Sequence, residues 1–95
     1  MSKKFPPVHP GIILLEEFLK PMELTQARVA HDLKLSPRVI NTIVRGGRPI
    51  NAEIALRLSR YFGNTPQFWL SLQADYDIDV TRKAMGRRIL REVKV

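Results

Sequence analysis

The sequence contains no cysteine. Disulfide bonds and thiolate metal sites are therefore excluded, which fits the reducing cytoplasm where we expect the chain to act. Long hydrophobic runs are also missing, because the longest aliphatic run spans only Ile12–Leu15 and roughly 20 residues are needed to cross a bilayer. Lys3 and Lys4 resemble the charged start of an export signal, but prolines and glutamates interrupt the sequence behind them, so we predict no such signal.

Acidic residues are in the minority, since nine Asp and Glu stand against 16 Lys and Arg for a net charge of +7. A basic excess of this size in a small domain predicts an anionic partner, either nucleic acid or a membrane surface. With 95 residues, 44% of them hydrophobic, the chain can form one modest core. We predict a flexible N-terminal tail over 1–8, a domain over 9–85 and a basic C-terminal tail over 86–95.

Prolines and capping residues divide the chain into five predicted helices. Pro10 suits the first turn of a helix, and Pro21 should end that helix because the residue before proline disfavours the α region. Four further segments follow a Ser, Thr or Asn that can cap a helix N-terminus. The predicted helices run from Pro10 to the residue before Pro21, over Gln26–Leu33, Pro37–Arg45 and Ala52–Phe62, and from Pro66 to about Ala84.

The predicted helix Pro37–Arg45 has two contrasting faces. At 3.6 residues per turn its aliphatic side chains share one side, and its polar side chains recur at i, i+3, i+4 and i+7 on the other. Arginine can bind guanine, asparagine can bind adenine, and threonine offers a hydroxyl and a methyl to a base. A solvated polar face without a ligand is the alternative interpretation. The polar face comprises Arg38, Asn41, Thr42 and Arg45, and the aliphatic face comprises Ile40, Ile43 and Val44.

Residues 25–45 match the helix-turn-helix pattern of phage-repressor-like domains. Ala30 is small where two helices cross at a steep angle, and aliphatic residues beneath it hold that angle. This arrangement presents the second helix to the major groove of DNA. Lys34 stands where the turn usually has glycine, so we predict either a left-handed Lys34 or a different turn. The matching positions are Gln26, Ala30, Leu33, Leu35, Ile40 and Ile43.

Three longer strings resemble the HigA (VapI-like) antitoxin family over about residues 8–82. They are HPGIIL at 9–14 with EEFL at 16–19, RPINAEIALRL at 48–58, and TPQFWLSLQA at 65–74 followed by Tyr76 and Asp77. The resemblance implies an all-α, five-helix phage-repressor-like fold and a homodimer. It also implies that the protein binds a palindromic operator in double-stranded DNA of its own promoter, and that it silences a HigB-type, RelE-like toxin that cuts messenger RNA.

The same resemblance, carried over position by position, implies a set of DNA contacts. Pro37 departs from the family in chemical character, because it offers no side-chain hydrogen bond and either touches a thymine methyl or only starts the helix. Arg48 is a further predicted phosphate contact, just after the recognition helix. We expect Arg38, Asn41 and Thr42 to read bases, and Gln26, Arg45 and Arg48 to hold phosphates. The contacts implied by the family are Gln26, Ser36, Pro37, Arg38, Asn41, Thr42 and Arg45.

Other chemically distinctive residues favour structural roles. An apolar stripe at helical spacing after Pro66 is predicted to lie in the core or in a dimer interface, because it would otherwise form a large exposed patch. His9 and His31 lack partners at metal-ligand spacing, and the acidic pairs have no nucleophile beside them. We therefore predict a non-enzyme with no metal, cofactor or small-molecule ligand. The stripe comprises Phe68, Trp69, Leu72 and Tyr76.

The C-terminal residues allow two interpretations. Residues 81–95 hold six basic side chains against the single acid Glu92, which predicts a frayed end that attracts phosphate non-specifically. Alternation from Ile89 to Val95 instead predicts a short strand that pairs across a dimer or with a toxin.

Three functions remain open from the sequence. The first is an antitoxin that represses its own operon, and the second is a stand-alone repressor without a toxin. The third is a toxin-binding module whose DNA face no longer binds a specific sequence.

Overall fold

The structure is a computed structural model that describes residues 7–95. It consists of α-helices, and no strand occurs between residues 7 and 95. Of the predicted flexible segment 1–8, residues 1–6 lie outside the described part. The helices are α1 (Pro10–Ile13), which continues into a π-helical turn over Leu14–Leu19, α2 (Gln26–Leu33), α3 (Pro37–Val44), α4 (Ala52–Phe62) and α5 (Pro66–Glu92).

Side-chain caps begin four of the helices at the predicted residues. The capping oxygen accepts a hydrogen bond from the backbone N–H three residues further on, over 2.9 to 3.2 Å. Each cap satisfies a donor that the helix itself leaves unpaired. The predicted starts of α2 to α5 are therefore confirmed, and the caps are Thr25, Ser36, Asn51 and Thr65.

The turn between α2 and α3 follows one of the two predicted geometries. Lys34 takes the left-handed conformation, with φ 61° and ψ 37°. Its backbone N–H and that of Leu35 donate to carbonyls in the last turn of α2. This conformation is unfavourable for a residue with a Cβ atom, so the turn is kept at some cost in stability.

The C-terminal predictions are wrong in two respects. Helix α5 ends at Glu92 rather than Ala84, and the alternative interpretation of Ile89 to Val95 as a strand is wrong because residues 89–92 are helical. No proline interrupts the chain after Pro66, and Arg88 forms a helix-stabilising i, i+4 ion pair with Glu92 over 2.9 Å. Helix α3 also ends one residue early, at Val44.

One hydrophobic core lies between the N-terminal helices and the first half of α5. Trp69 of α5 has no exposed surface and packs 5.0 Å from the ring of Phe18. None of the described helices is long and apolar enough to cross a membrane. The buried apolar residues are Leu14, Leu19, Val29, Ala30, Leu33, Ile40, Ile43, Val44, Ile50, Ile54, Ala55, Leu58 and Trp69.

A close backbone contact joins α1 to α3. A Cβ atom at Gly11 would overlap the carbonyl oxygen of Ile43 and lie 2.7 Å from its carbonyl carbon. Only glycine permits this approach, because both atoms belong to the backbone of α3 and cannot rotate away. Gly11 therefore sets the depth at which α3 rests on the N-terminal helix.

Candidate nucleic-acid interface

Helix α3 buries its aliphatic face in the core and exposes its polar face, as its periodicity predicts. Ile40 and Ile43 are fully buried, whereas Arg38, Asn41 and Arg45 are exposed. Burial of the aliphatic face fixes the rotation of the helix about its axis. The polar side chains are therefore presented outward by a rigid element.

A hydrogen bond connects the exposed face of α3 to the start of α2. The amide nitrogen Nδ2 of Asn41 donates to Oε1 of Gln26 over 3.1 Å. One proton on Nδ2 and the oxygen Oδ1 of Asn41 remain available, and Gln26 keeps its own NH₂ group. An adenine edge requires one donor and one acceptor from asparagine. The bond to Gln26 thus leaves Asn41 with the one donor and one acceptor that an adenine edge requires.

Three exposed arginines lie on α3 or shortly after it. The side chains of Arg38, Arg45 and Arg48 are exposed, and none has a hydrogen bond or ion pair with another residue between 7 and 95. Arg38 lies in the first turn of α3, Arg45 directly follows α3, and Arg48 lies in the following loop. These guanidinium groups can form bidentate bonds with guanine or phosphate without first breaking a bond within the chain.

The other predicted contacts on α3 have part of their polar capacity occupied. Ser36 accepts from the N–H of Val39 over 3.2 Å, so its hydroxyl caps the helix. The hydroxyl of Thr42 donates to the carbonyl of Arg38 over 2.7 Å, and Thr42 is half-buried. Pro37 is the first residue of α3 and is exposed. Thr42 consequently has fewer free hydrogen-bonding groups for a base than Arg38 or Asn41.

The loop that follows α3 is fixed by two buried polar side chains that the sequence patterns do not identify as functional. Gln73 of α5 accepts from the N–H of Ile50 over 2.8 Å and donates to Asp77 over 2.9 Å. The ring of His9 donates to the backbone of Arg48 and packs edge-on against Tyr76 at 4.9 Å. A polar residue one helical turn from Trp69, in an otherwise apolar stripe, is the signal that could have revealed Gln73.

The surroundings of His9 favour its neutral form. Its Nδ1 atom accepts from the N–H of Gly11 over 2.9 Å and so caps α1. Protonated imidazole cannot accept this bond, since both ring nitrogens then carry hydrogen. Burial lowers the pKa of His9 from its ordinary value, against the opposing effects of the Asp77 carboxylate and the bond to Arg48.

Acidification through the His9 transition should destabilise the protein. The unfolded state, with its ordinary histidine pKa, binds a proton at a higher pH than the folded state does, so the free energy of unfolding falls as the pH drops below about 6.5. The loss is complete once the pH passes below the folded pKa. Thermal unfolding of His9→Asn is the control, because asparagine can cap α1 without titrating. Equal pH dependence of the two proteins between pH 8 and 5 would contradict the role given to His9.

A polar network fastens α2 to α4 beside this surface. Asp32 accepts from the hydroxyl of Tyr61 over 2.6 Å and from Nε of Arg28 over 2.9 Å. These two hydrogen bonds lower the pKa of Asp32 to about 2. In addition, Arg57 donates to the carbonyl of Leu33 over 2.8 Å, which satisfies the C-terminal end of α2.

The predicted dimer stripe divides between core and surface. Trp69 is fully buried within the chain and donates to Asn64 over 2.9 Å, so it has no surface to offer a second copy. Leu72 and Tyr76 are half-buried and Phe68 is 37% exposed; their part in a dimer stays a prediction. Residues 7–95 contain no cluster of three or more potential metal ligands.

The chain is similar to known helix-turn-helix proteins. A family model described as helix-turn-helix matches residues 15–69. Virulence-associated protein I of Dichelobacter nodosus is 49% identical over 82 residues, which cover 86% of this chain and 76% of that protein. An uncharacterized HTH-type transcriptional regulator of Haemophilus influenzae is 35% identical over 95 residues, covering 99% and 87% of the two chains.

A solved structure has the same fold over nearly its entire length. It is the Pseudomonas aeruginosa antitoxin HigA with the higBA promoter, which is 42% identical and superposes with a TM-score of 0.90. The alignment covers 93% of this chain and 96% of that one. The five-helix fold expected from the sequence is therefore confirmed.

Proposed function

Because the chain belongs to the helix-turn-helix family and, within it, to the HigA (VapI-like) proteins, we propose that it is the antitoxin of a toxin–antitoxin operon. In this role it binds a palindromic operator in its own promoter, represses transcription in the cytoplasm and neutralises a RelE-like toxin by direct binding. The family comprises DNA-binding regulators and not enzymes.

The bond between Asn41 and Gln26 is the observation that carries the DNA-binding proposal. It orients an amide suited to reading adenine on the outer face of α3, a face whose arginine side chains form no hydrogen bond or ion pair with residues 7–95. A polar face that binds only water would gain nothing from a bond to α2 that fixes the side chain of Asn41 in one rotamer. The similar HigA structure with promoter DNA supports the same assignment.

The proposed DNA complex contains two copies of the chain. A two-fold symmetric pair would place its two α3 helices in successive major grooves, roughly 34 Å apart. In this complex Arg38 and Asn41 read bases, with a smaller contribution from Thr42, while Gln26, Arg45 and Arg48 hold phosphates. The symmetry of the protein would then be matched by an inverted repeat in the operator.

Capture of sheared genomic DNA on the purified protein, followed by sequencing, tests the proposal directly. Enrichment of a single inverted repeat upstream of the protein's own gene is the expected result. Recovery of DNA fragments from all over the genome, lost at moderate salt, would overturn specific binding. Attraction to phosphates alone gives this result, because it does not depend on sequence and is weakened by salt. Toxin binding is tested separately, by co-purification with the product of a small basic reading frame beside the gene.

A stand-alone repressor is the second candidate, and it is favoured by the similarity to the Haemophilus influenzae regulator. Enrichment at many promoters, with no adjacent toxin gene, would support this candidate over the antitoxin. Both functions use the same face of α3, so the structure of that face does not separate them.

Replacement of Arg38 by alanine should change base preference rather than binding in general. Loss of one bidentate contact to a guanine costs on the order of 1–3 kcal/mol and relaxes selectivity at one base pair in each half-site. Titration of the captured operator and of variants mutated at single positions would measure this. A uniform loss of affinity across all these sequences would instead make Arg38 a phosphate contact.

A further inference from the structure

Two glycines connect Arg48 to the recognition helix. Gly46 has φ 78°, and the N–H of Gly47 donates to the carbonyl of Thr42 over 2.9 Å. Two successive glycines restrict the direction of the following chain only weakly, because a residue without Cβ has the widest choice of backbone angles. The direction in which Arg48 leaves α3 must therefore be fixed by contacts further along the chain.

The backbone of residues 48–50 is held at each of its three positions. The backbone of Arg48 accepts a hydrogen bond from the ring of His9, and the ring of Pro49 fixes its own φ. The N–H of Ile50 donates to Oε1 of Gln73 over 2.8 Å, and the Ile50 side chain is only 2% exposed. The exposed guanidinium of Arg48 thus stands on a backbone that is tied to the start of α1 and to α5.

The amide of Gln73 can face in only one direction. Its NH₂ group donates to the carboxylate of Asp77 over 2.9 Å, and a carboxylate only accepts hydrogen bonds. Asp77 therefore turns Oε1 of Gln73 towards the N–H of Ile50. A leucine would suit the apolar stripe of α5 equally well, but it would leave the N–H of Ile50 without this partner in the protein interior.

We infer that Gln73 is a positioning residue for DNA binding, which holds residues 48–50 in the conformation from which Arg48 reaches a phosphate. Gln73 is 7% exposed and lies on α5, so it acts through Ile50 and not by contact with DNA. Its contribution arises because the backbone beneath Arg48 is ordered before DNA binds, and binding does not have to order it. The inference rests on the proposed function, to which it adds a role for α5.

A double-mutant cycle with the full-length protein tests this role. Gln73→Leu should weaken operator binding by at least about fivefold at fixed salt, because two copies of the segment must then be ordered on binding. In an Arg48→Ala background the same change should weaken binding by less than about twofold, since no guanidinium remains to be positioned. In an Arg38→Ala background it should keep its full effect. Fluorescence anisotropy measures each affinity.

The salt dependence of binding separates positioning from a general loss of stability. Each phosphate contact adds about 0.9 to the slope of the logarithm of affinity against the logarithm of salt concentration. Gln73→Leu should therefore lower this slope towards the value for Arg48→Ala. A protein that is only partly folded would bind more weakly at every salt concentration and keep the wild-type slope.

A substitution on the protein surface keeps the test decisive if Gln73→Leu does not fold. Asp77 is exposed, and Asp77→Ala removes the group that orients the amide of Gln73. Asp75→Ala is the matched control, because it removes the same charge from an exposed position on the same helix. Asp77→Ala should bind operator at least about twofold more weakly than this control, because the contact of Arg48 with phosphate is less well ordered. In an Arg48→Ala background the two variants should bind equally.

A scrambled duplex at low salt separates this inference from the proposed function. Phosphate contacts do not depend on sequence, so the coupling between Gln73 and Arg48 should persist on this duplex. Retained coupling in a protein without a specific operator would refute only the proposed function. A Gln73→Leu effect that is equally large without Arg48, or a Gln73→Leu variant with the wild-type salt slope, would overturn the inference. If Gln73→Leu does not fold, equal affinities of Asp77→Ala and Asp75→Ala would overturn it.

Discussion

Replacement of Gly11 by alanine should lower the free energy of unfolding by about 2–3 kcal/mol. The new methyl group would overlap the carbonyl oxygen of Ile43, and overpacking of a tight contact costs typically 1–3 kcal/mol. The upper part of this range is expected because the obstacle is backbone, so relief requires α1 and α3 to separate. Urea denaturation monitored by circular dichroism measures the change.

Gly63→Ala is the matched control for this substitution. Gly63 has φ 77°, and a Cβ atom there would have no neighbour within 4 Å. Alanine at position 63 therefore suffers only the conformational cost of a left-handed residue, roughly 1–2 kcal/mol. A Gly11→Ala variant no less stable than Gly63→Ala would show that the α1–α3 contact can yield, contrary to the role assigned to Gly11.

The helix starts could be predicted because the signals that determine them are local. A capping side chain needs only a donor three residues away in the same segment, so Thr25, Asn51 and Thr65 can be identified without knowledge of the fold. The left-handed conformation of Lys34 could be predicted, as one of two geometries, for the same reason. The short segment between α2 and α3 requires a tight turn at this position.

The end of α5 could not be predicted, because no residue between Ala84 and Glu92 gives a strong signal for the end of a helix. Gly86 disfavours a helix interior by only about 1 kcal/mol relative to alanine. Good helix-forming residues on both sides and the ion pair of Arg88 with Glu92 offset that cost.

Periodicity predicted the polar face of the candidate site but not how each side chain is used. It placed Arg38, Asn41 and Thr42 on one face, yet the hydroxyl of Thr42 turns back to its own helix. The bond from Asn41 to Gln26 joins residues 15 apart in the sequence. Contacts of this kind depend on the crossing angle of two helices, which a one-dimensional pattern constrains only loosely.

Asn41→Ala should abolish most of the specific affinity for the operator. A bidentate contact to adenine contributes roughly 1–3 kcal/mol of discrimination, and the proposed dimer makes this contact in both half-sites. The expected loss on the full palindrome is therefore about 2–6 kcal/mol, with much less change on unrelated DNA. Fluorescence anisotropy at fixed salt, with the operator and a scrambled duplex, would measure both affinities.

The bond between Asn41 and Gln26 predicts that the two substitutions do not add. Gln26→Ala should weaken operator binding when Asn41 is present, because Asn41 loses the partner that orients it. After Asn41→Ala, the same change should cost only the direct phosphate contact of Gln26, so a double-mutant cycle should show coupling. Gln67→Ala removes an exposed amide from α5 and should leave operator affinity unchanged. Additive losses, or an Asn41→Ala variant that weakens all duplexes equally, would mean that this amide pair does not read a base.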